Sequence, residues 1–172
     1  MSDESSITAL IASVAEEYGR LDVLVNNAGT GVAGTVEHTD TRAWRHVFAV
    51  DVDGVFFASR AALPHLRRVG GCIVNVGSVS GLGADWGLAA YNAAKGALVN
   101  LTNAVALDHG HEGVRVNAVH PASPAPRWPR PSSTTRTCTQ RLQRPTTHVL
   151  NDCHSGPSRF SGEGGREGRR GV

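Results

Sequence analysis

Three short apolar runs constrain the fold more than any other feature of this chain: 21–25 (LDVLV), 72–76 (CIVNV) and 114–119 (VRVNAV). Each has the length and β-branched content of a strand. The stretches between them carry helical periodicity. Strands that alternate with helices at this interval imply right-handed βαβ units around a parallel sheet, an α/β fold.

The helices can be placed from their spacing and end signals. Residues 5–18 set Ile7, Leu10, Ile11, Val14 and Tyr18 on one helical face, with Ser2 and Asp3 as caps and Gly19 as the stop. A polar loop over 30–39 leads to Asp40, the expected N-cap of a long helix reaching about Arg68. Pro64 inside that pattern is expected to kink or end it. Residues 89–109 (AAYNAAKGALVNLTNAVALDH), rich in Ala and Leu, read as the strongest helix.

This grammar stops at Pro121. Residues 1–126 carry 8 basic and 12 acidic side chains, whereas 127–172 carry 9 arginines, no lysine and 3 acids. Pro, Ser, Thr, Arg and Gly dominate this basic tail. It cannot bury enough apolar area to offset its ordering entropy. The expected organisation is therefore one domain over 1–121 and a disordered tail over 122–172. A basic tail raises the question of nucleic acid, but only Trp128 and Phe160 interrupt it as aromatics, so no nucleic-acid partner is expected. The start MSDESS has no signal-like pattern, and no run of about 18 uncharged apolar residues would span a membrane. Cys72, Cys138 and Cys153 lack ligand spacing, so no metal site is expected. Their odd number suits a reducing cytoplasm.

The residues that carry chemistry are Ser78, Tyr91 and Lys95. Tyr91 and Lys95 lie four apart on the 89–109 helix and so project from the same face. An ammonium beside a phenol favours the phenolate, and such a phenol can exchange a proton with an alcohol or a carbonyl. Lys95 is the only lysine in the chain, against sixteen arginines. Arginine's larger fork and firmly held proton do not substitute for it in that role. Ser78, at the end of the second strand, is placed to hydrogen-bond the same substrate oxygen.

Four segments, LDVLVNNAG (21–29), GGCIVNVGSVSG (70–81), YNAAK (91–95) and VRVNAVHP (114–121), together resemble the short-chain dehydrogenase/reductase family in order and spacing. The resemblance spans about residues 5–121. It implies a partial Rossmann-type, doubly wound parallel sheet and hydride transfer between NAD or NADP and a small alcohol/ketone substrate. It also implies roles. Tyr91 is the acid/base, Ser78 the substrate-oxygen partner, and Lys95 the residue that tunes Tyr91 and binds the nicotinamide ribose. Asn27, Ala28, Gly29 and Pro121 lie along the cofactor, and Asn26 braces the sheet. A homo-oligomer through helices 40–68 and 90–109 is implied as well.

Three departures from the family accompany the resemblance. The family's first strand and glycine-rich cofactor loop would precede Met1. The run 29–34 (GTGVAG) spells G-x-G-x-x-G after a strand, but no helix opens there, so it reads as the loop following Asn-Asn-Ala-Gly rather than a phosphate turn. Asp51, in FAVDVDGVFF, stands where the family has a catalytic Asn; a carboxylate there either pairs with Lys95 and blunts its effect on Tyr91 or is a solvated helix acid. The family continues His-Pro-Gly after its sixth strand. Codons compatible with residues 121–128, read one base back, can spell Gly-Val-Thr-Arg-Thr-Glu-Met, which restores the family's Gly, Thr and Met. A one-base loss near Pro121 is the expected origin of the tail. The expected outcome is a weak or inactive enzyme fragment, or an interaction fragment that uses the two long helices.

Overall fold

Strands β1 (Val23–Asn26), β2 (Cys72–Val76) and β3 (Arg115–Val119) pair in parallel in the order β1-β2-β3, each step crossing to the adjacent strand. A computed structural model of the chain describes residues 2–122. The expected disorder and frame change of the tail lie outside the described residues. Four helices accompany the sheet: α1 (Glu4–Tyr18), α2 (Thr41–Phe48), α3 (Gly54–Val69) and α4 (Ala89–His109).

The ends of these elements follow local chemistry. Asp3 caps α1 by accepting the Ser6 N–H at 2.8 Å, and Asp40 caps α2 by accepting the Ala43 N–H at 2.7 Å. Gly19 closes α1 in the left-handed region at φ 71°. The single long helix expected after Asp40 is instead α2 and α3 joined by a π turn at Ala49–Asp53. Pro64 does not end α3, which continues to Val69. The carbonyl that a proline leaves without a donor, here that of Arg60, belongs to an exposed residue, where water can satisfy it.

Two right-handed crossovers that step in the same direction lay their helices on one side of a sheet. The burial pattern agrees. Ile73 and Val116 pack with Ile11 of α1 and with Ala62, Leu63 and Leu66 of α3. Full burial of a side chain such as Leu66 or Ile73 is worth about 1.5–3 kcal/mol. The opposite face of the sheet carries Val23, Val25, Cys72, Val74, Val76 and Val119, and no described helix covers it. Val23 is 50% and Val25 56% exposed.

A buried polar network fixes the strands to the helices. The Asn26 amide donates to Asn75 Oδ1 at 2.8 Å and to Ser59 Oγ of α3 at 3.3 Å. Asn75 in turn donates to Thr102 Oγ1 of α4 at 2.9 Å. Asn26 and Asn75 are register partners, so this bridge joins β1 to β2 beside their carboxyl ends.

Candidate active site

The carboxyl ends of all three strands lie on one edge of the sheet, where open α/β sheets bind ligands. Asn27 follows β1, Gly77 and Ser78 follow β2, and His120 and Pro121 follow β3. Backbone bonds extend the pairing past the strands, from Gly77 N–H to Val119 O at 2.8 Å and from Val79 N–H to Pro121 O at 3.3 Å. Helix α4 delivers Tyr91 and Lys95 to this edge from its first two turns.

Lys95 is the centre of the arrangement. Its ammonium lies 3.1 Å from Asp51 Oδ2, donates to the Val76 carbonyl at 3.1 Å, and sits 5.5 Å from the Tyr91 ring centroid. Lys95 is 4% exposed and Asp51 fully buried. The Asp51 contact is an ion pair out of hydrogen-bond line, while the other carboxylate oxygen accepts the Thr30 N–H at 2.7 Å. The π turn thus carries a carboxylate that ties the loop after β1 to α4. Gly29 leaves room for this contact, since a Cβ there would lie 3.2 Å from Asp51 Oδ2 and 3.3 Å from Lys95 Nζ and would press on the pair.

A cavity of about 470 Å³ opens here, with Asn27, Gly29, Gly31, Gly77, Tyr91 and Lys95 in its wall. Of the residues singled out in the sequence, Asn27, Gly29, Tyr91 and Lys95 line it, and Asp51 lies directly behind Lys95. Ala28, Ser78 and Pro121 are outside the wall. Ala28 is half-buried, Pro121 is exposed, and the buried Ser78 hydroxyl turns toward Ser80 at 3.0 Å. The run 29–34 opens no helix. It lies against Tyr91, and Gly34 is joined to the loop before α4 by Gly34 N–H to Gly87 O at 2.7 Å and Ala89 N–H to Gly34 O at 3.0 Å.

Several contributors were not apparent from spacing. Gly31 packs on Tyr91, where a Cβ would meet the ring at 3.3 Å. Gly77 admits the buried His120, whose Nδ1 would be 2.5 Å from a Cβ and whose ring nitrogen lies 3.3 Å from the Ser78 carbonyl. A polar chain from Ser78 through Ser80 to Asp85 had no sequence signal beyond the density of small polar residues. Among the described residues no His, Cys, Asp and Glu side chains group as metal ligands, and no helix is long and apolar enough to cross a membrane.

A parallel α/β sheet whose strand ends meet a buried lysine and a tyrosine from the following helix defines a Rossmann-like protein. The chain belongs to the short chain dehydrogenase family, whose sequence pattern matches residues 1–128. It is similar to the meso-2,3-butanediol dehydrogenase of Serratia marcescens, 57% identical over 122 residues that cover 71% of this chain and 49% of the relative. Its fold is similar to the ligand-free aldohexose dehydrogenase of Thermoplasma acidophilum, with TM-score 0.69 and 35% identity over 71% of this chain and 48% of that one. It is also similar to a NADPH-bound ElxO variant, with TM-score 0.68 and 32% identity over 70% and 50% of the two chains. The chain spans about half the length of the relatives it matches.

Proposed function

We propose that this chain carries the proton-transfer half of an NAD(P)-dependent oxidoreductase acting on a small secondary alcohol and its ketone. The observation that carries the reading is the buried Lys95 ammonium, held by Asp51 and the Val76 carbonyl beside the Tyr91 ring. The 57% identity to a butanediol dehydrogenase supports a vicinal diol as the first substrate to try.

The cavity fits the nicotinamide end of such a cofactor in chemistry. Gly29 and Gly31 present backbone without side chains, and Lys95 offers a cation that could meet a ribose hydroxyl. The pyrophosphate end fits less well. Among the described residues no strand leads directly into an α-helix, the turn whose amides hold a pyrophosphate. When bound, the cofactor supplies the hydride acceptor or donor. The residues of the chain then divide the remaining work. Tyr91 takes the proton from the alcohol hydroxyl or returns it to the ketone oxygen. Lys95 sets its charge beside the Tyr91 ring, and Ser78 holds the substrate oxygen. Asn27, Ala28, Gly29 and Pro121 lie along the cofactor. Asp51 competes with Tyr91 for the Lys95 charge, which lowers the activity of the site.

The test is a chimera in which the first half of the Serratia relative precedes this domain. Turnover of meso-2,3-butanediol should appear and be lost in Tyr91→Phe and Lys95→Met. Asp51→Asn should raise it, because Lys95 is freed to act on Tyr91. A folded chimera whose turnover does not depend on Tyr91 would sink the proposal.

A further inference from the structure

The walls of the cavity are not equally firm. Val76 ends β2, Gly77 follows it, and Tyr91 and Lys95 belong to α4. The remaining side is residues 30–34 (TGVAG), which lie in no strand or helix beyond a single bridge from Gly34 to Leu88. Two backbone hydrogen bonds make that bridge, Gly34 N–H to Gly87 O at 2.7 Å and Ala89 N–H to Gly34 O at 3.0 Å. The near end is pinned where the Thr30 N–H meets the buried Asp51 carboxylate at 2.7 Å. Between these points Val32 packs half-buried against Val47, Ala90 and Ala94, while Gly31 and Ala33 are exposed. A segment held by so few bonds and one half-buried side chain opens at far lower cost than the whole domain.

The same two bonds reach the chemistry. Leu88, the N-cap of α4, supplies no side-chain acceptor, and the first N–H of the helix, that of Ala89, is taken by the Gly34 carbonyl. Residues 30–34 therefore cap the helix whose first turn carries Tyr91. Gly31 lies on the Tyr91 ring, and the backbone at Gly29 comes so near Lys95 that a Cβ there would be 3.3 Å from Nζ. The partner at the other end is Gly87. Its φ of 65° is left-handed, and a Cβ built on it meets nothing within 4 Å. Alanine at 87 brings no clash, so it acts only by straining the backbone that presents the latch carbonyl.

We propose that residues 30–34 form a strap that gates the cavity, opening by release of the Gly34–Leu88 latch about the Thr30 anchor while the rest of the domain stays folded. Release uncaps α4 and uncovers Tyr91 and Lys95 in one event. That the strap admits a cofactor or an alcohol rests on the reading of the cavity given above. The opening itself is measurable with neither present, so failure of the gate is separable from failure of that reading.

Lys95, the only lysine in the chain, is the reporter. The full chain is treated with N-hydroxysuccinimidyl acetate at fixed pH under native conditions, and the acetylation rate of Lys95 is read by mass spectrometry on its own peptide. Gly87→Ala should raise that rate about five- to thirtyfold, which is a left-handed alanine's cost of about 1–2 kcal/mol converted at 1.4 kcal/mol per factor of ten. Gly19→Ala is the matched control. Gly19 has a φ of 71° and no Cβ neighbour within 4 Å, but it closes α1, which does not line the cavity. It carries a similar strain and should leave the Lys95 rate near that of the wild type, because local opening precedes global unfolding. A rise of less than about threefold in Gly87→Ala would show that the latch does not control access to Lys95 and would overturn the proposal. A rise in Gly19→Ala that matches the one in Gly87→Ala would overturn it as well, since Lys95 would then be reached by unfolding of the whole domain.

Discussion

Removing both partners of the Asp51–Lys95 pair should cost less than the two single losses added together. Asp51→Asn keeps one carbonyl oxygen, enough to accept the Thr30 N–H, so the substitution isolates the ion pair. It leaves the Lys95 ammonium buried with only the Val76 carbonyl, which costs about 3–5 kcal/mol. Lys95→Met leaves the Asp51 carboxylate buried with only the Thr30 N–H, at a similar cost. A small domain has a total stability of only about 5–15 kcal/mol, so either loss is large. In the double variant neither charge is stranded, and the loss should fall short of the sum by about 2–3 kcal/mol. Urea unfolding followed by tryptophan fluorescence measures all four corners of this cycle, with Trp44 and Trp86 in the folded part as reporters. The coupling should persist in 1 M salt, because buried charges are screened little. Losses additive within about 0.5 kcal/mol would refute the reasoning, since the two groups would then not interact.

Gly81→Ala should destabilise the chain by about 1–3 kcal/mol in the same unfolding assay, because a Cβ there would lie 2.5 Å from the Lys95 carbonyl oxygen; a loss under about 0.5 kcal/mol would mean the 79–81 turn is free to move off α4. The Arg67 guanidinium, followed by His109, holds the Glu112 carboxyl below its usual value of 4.5. A depressed carboxylate stabilises the fold fully above that value, and the contribution disappears as pH falls through the lowered one. Wild type and Glu112→Gln should therefore differ at pH 6 and converge in strong acid; a constant gap would argue against the pairing. Calorimetric titration of the chain with NADH and NADPH should show no saturable heat at micromolar concentrations, and light scattering should show particles above monomer mass, because no helix among the described residues covers the valine face of the sheet. A monomer that binds either cofactor at micromolar concentration would contradict this.

Much of the framework was legible in the sequence because it rests on local signals. The strand runs, the Asp40 cap, the Gly19 stop and the Tyr91–Lys95 spacing need only neighbours along the chain, and the observed strands fall within about two residues of their expected bounds. The pairing of Asp51 with Lys95 was one of the two readings open at that position, and the buried contact decides between them. What escaped depends on contacts between distant segments. Nothing in AVDVD distinguishes a π turn from an α-helix. Pro64 acts as a helix breaker only where its lost hydrogen bond cannot reach water. Asp85 becomes relevant to Ser78 only when Ser80 bridges them and Asn92 pins the loop, and none of these residues is unusual by itself.

The π turn at Ala49–Asp53 also makes residue number, as well as residue identity, part of what specifies this site. Each residue of an α-helix advances about 100° around the axis, so one surplus residue puts the two flanking segments out of phase by roughly that angle. Val47 before the turn joins Ala90 and Ala94 of α4, whereas Ala62 and Leu66 beyond it join the cluster over the sheet. Loss of a single codon within 49–53 would leave nearly every apolar side chain present while forcing one of these two stripes away from its partner. The same loss would swing Asp51 relative to Lys95. The length of this short segment is therefore constrained more tightly than its composition, and an in-frame deletion there would do more harm than most substitutions.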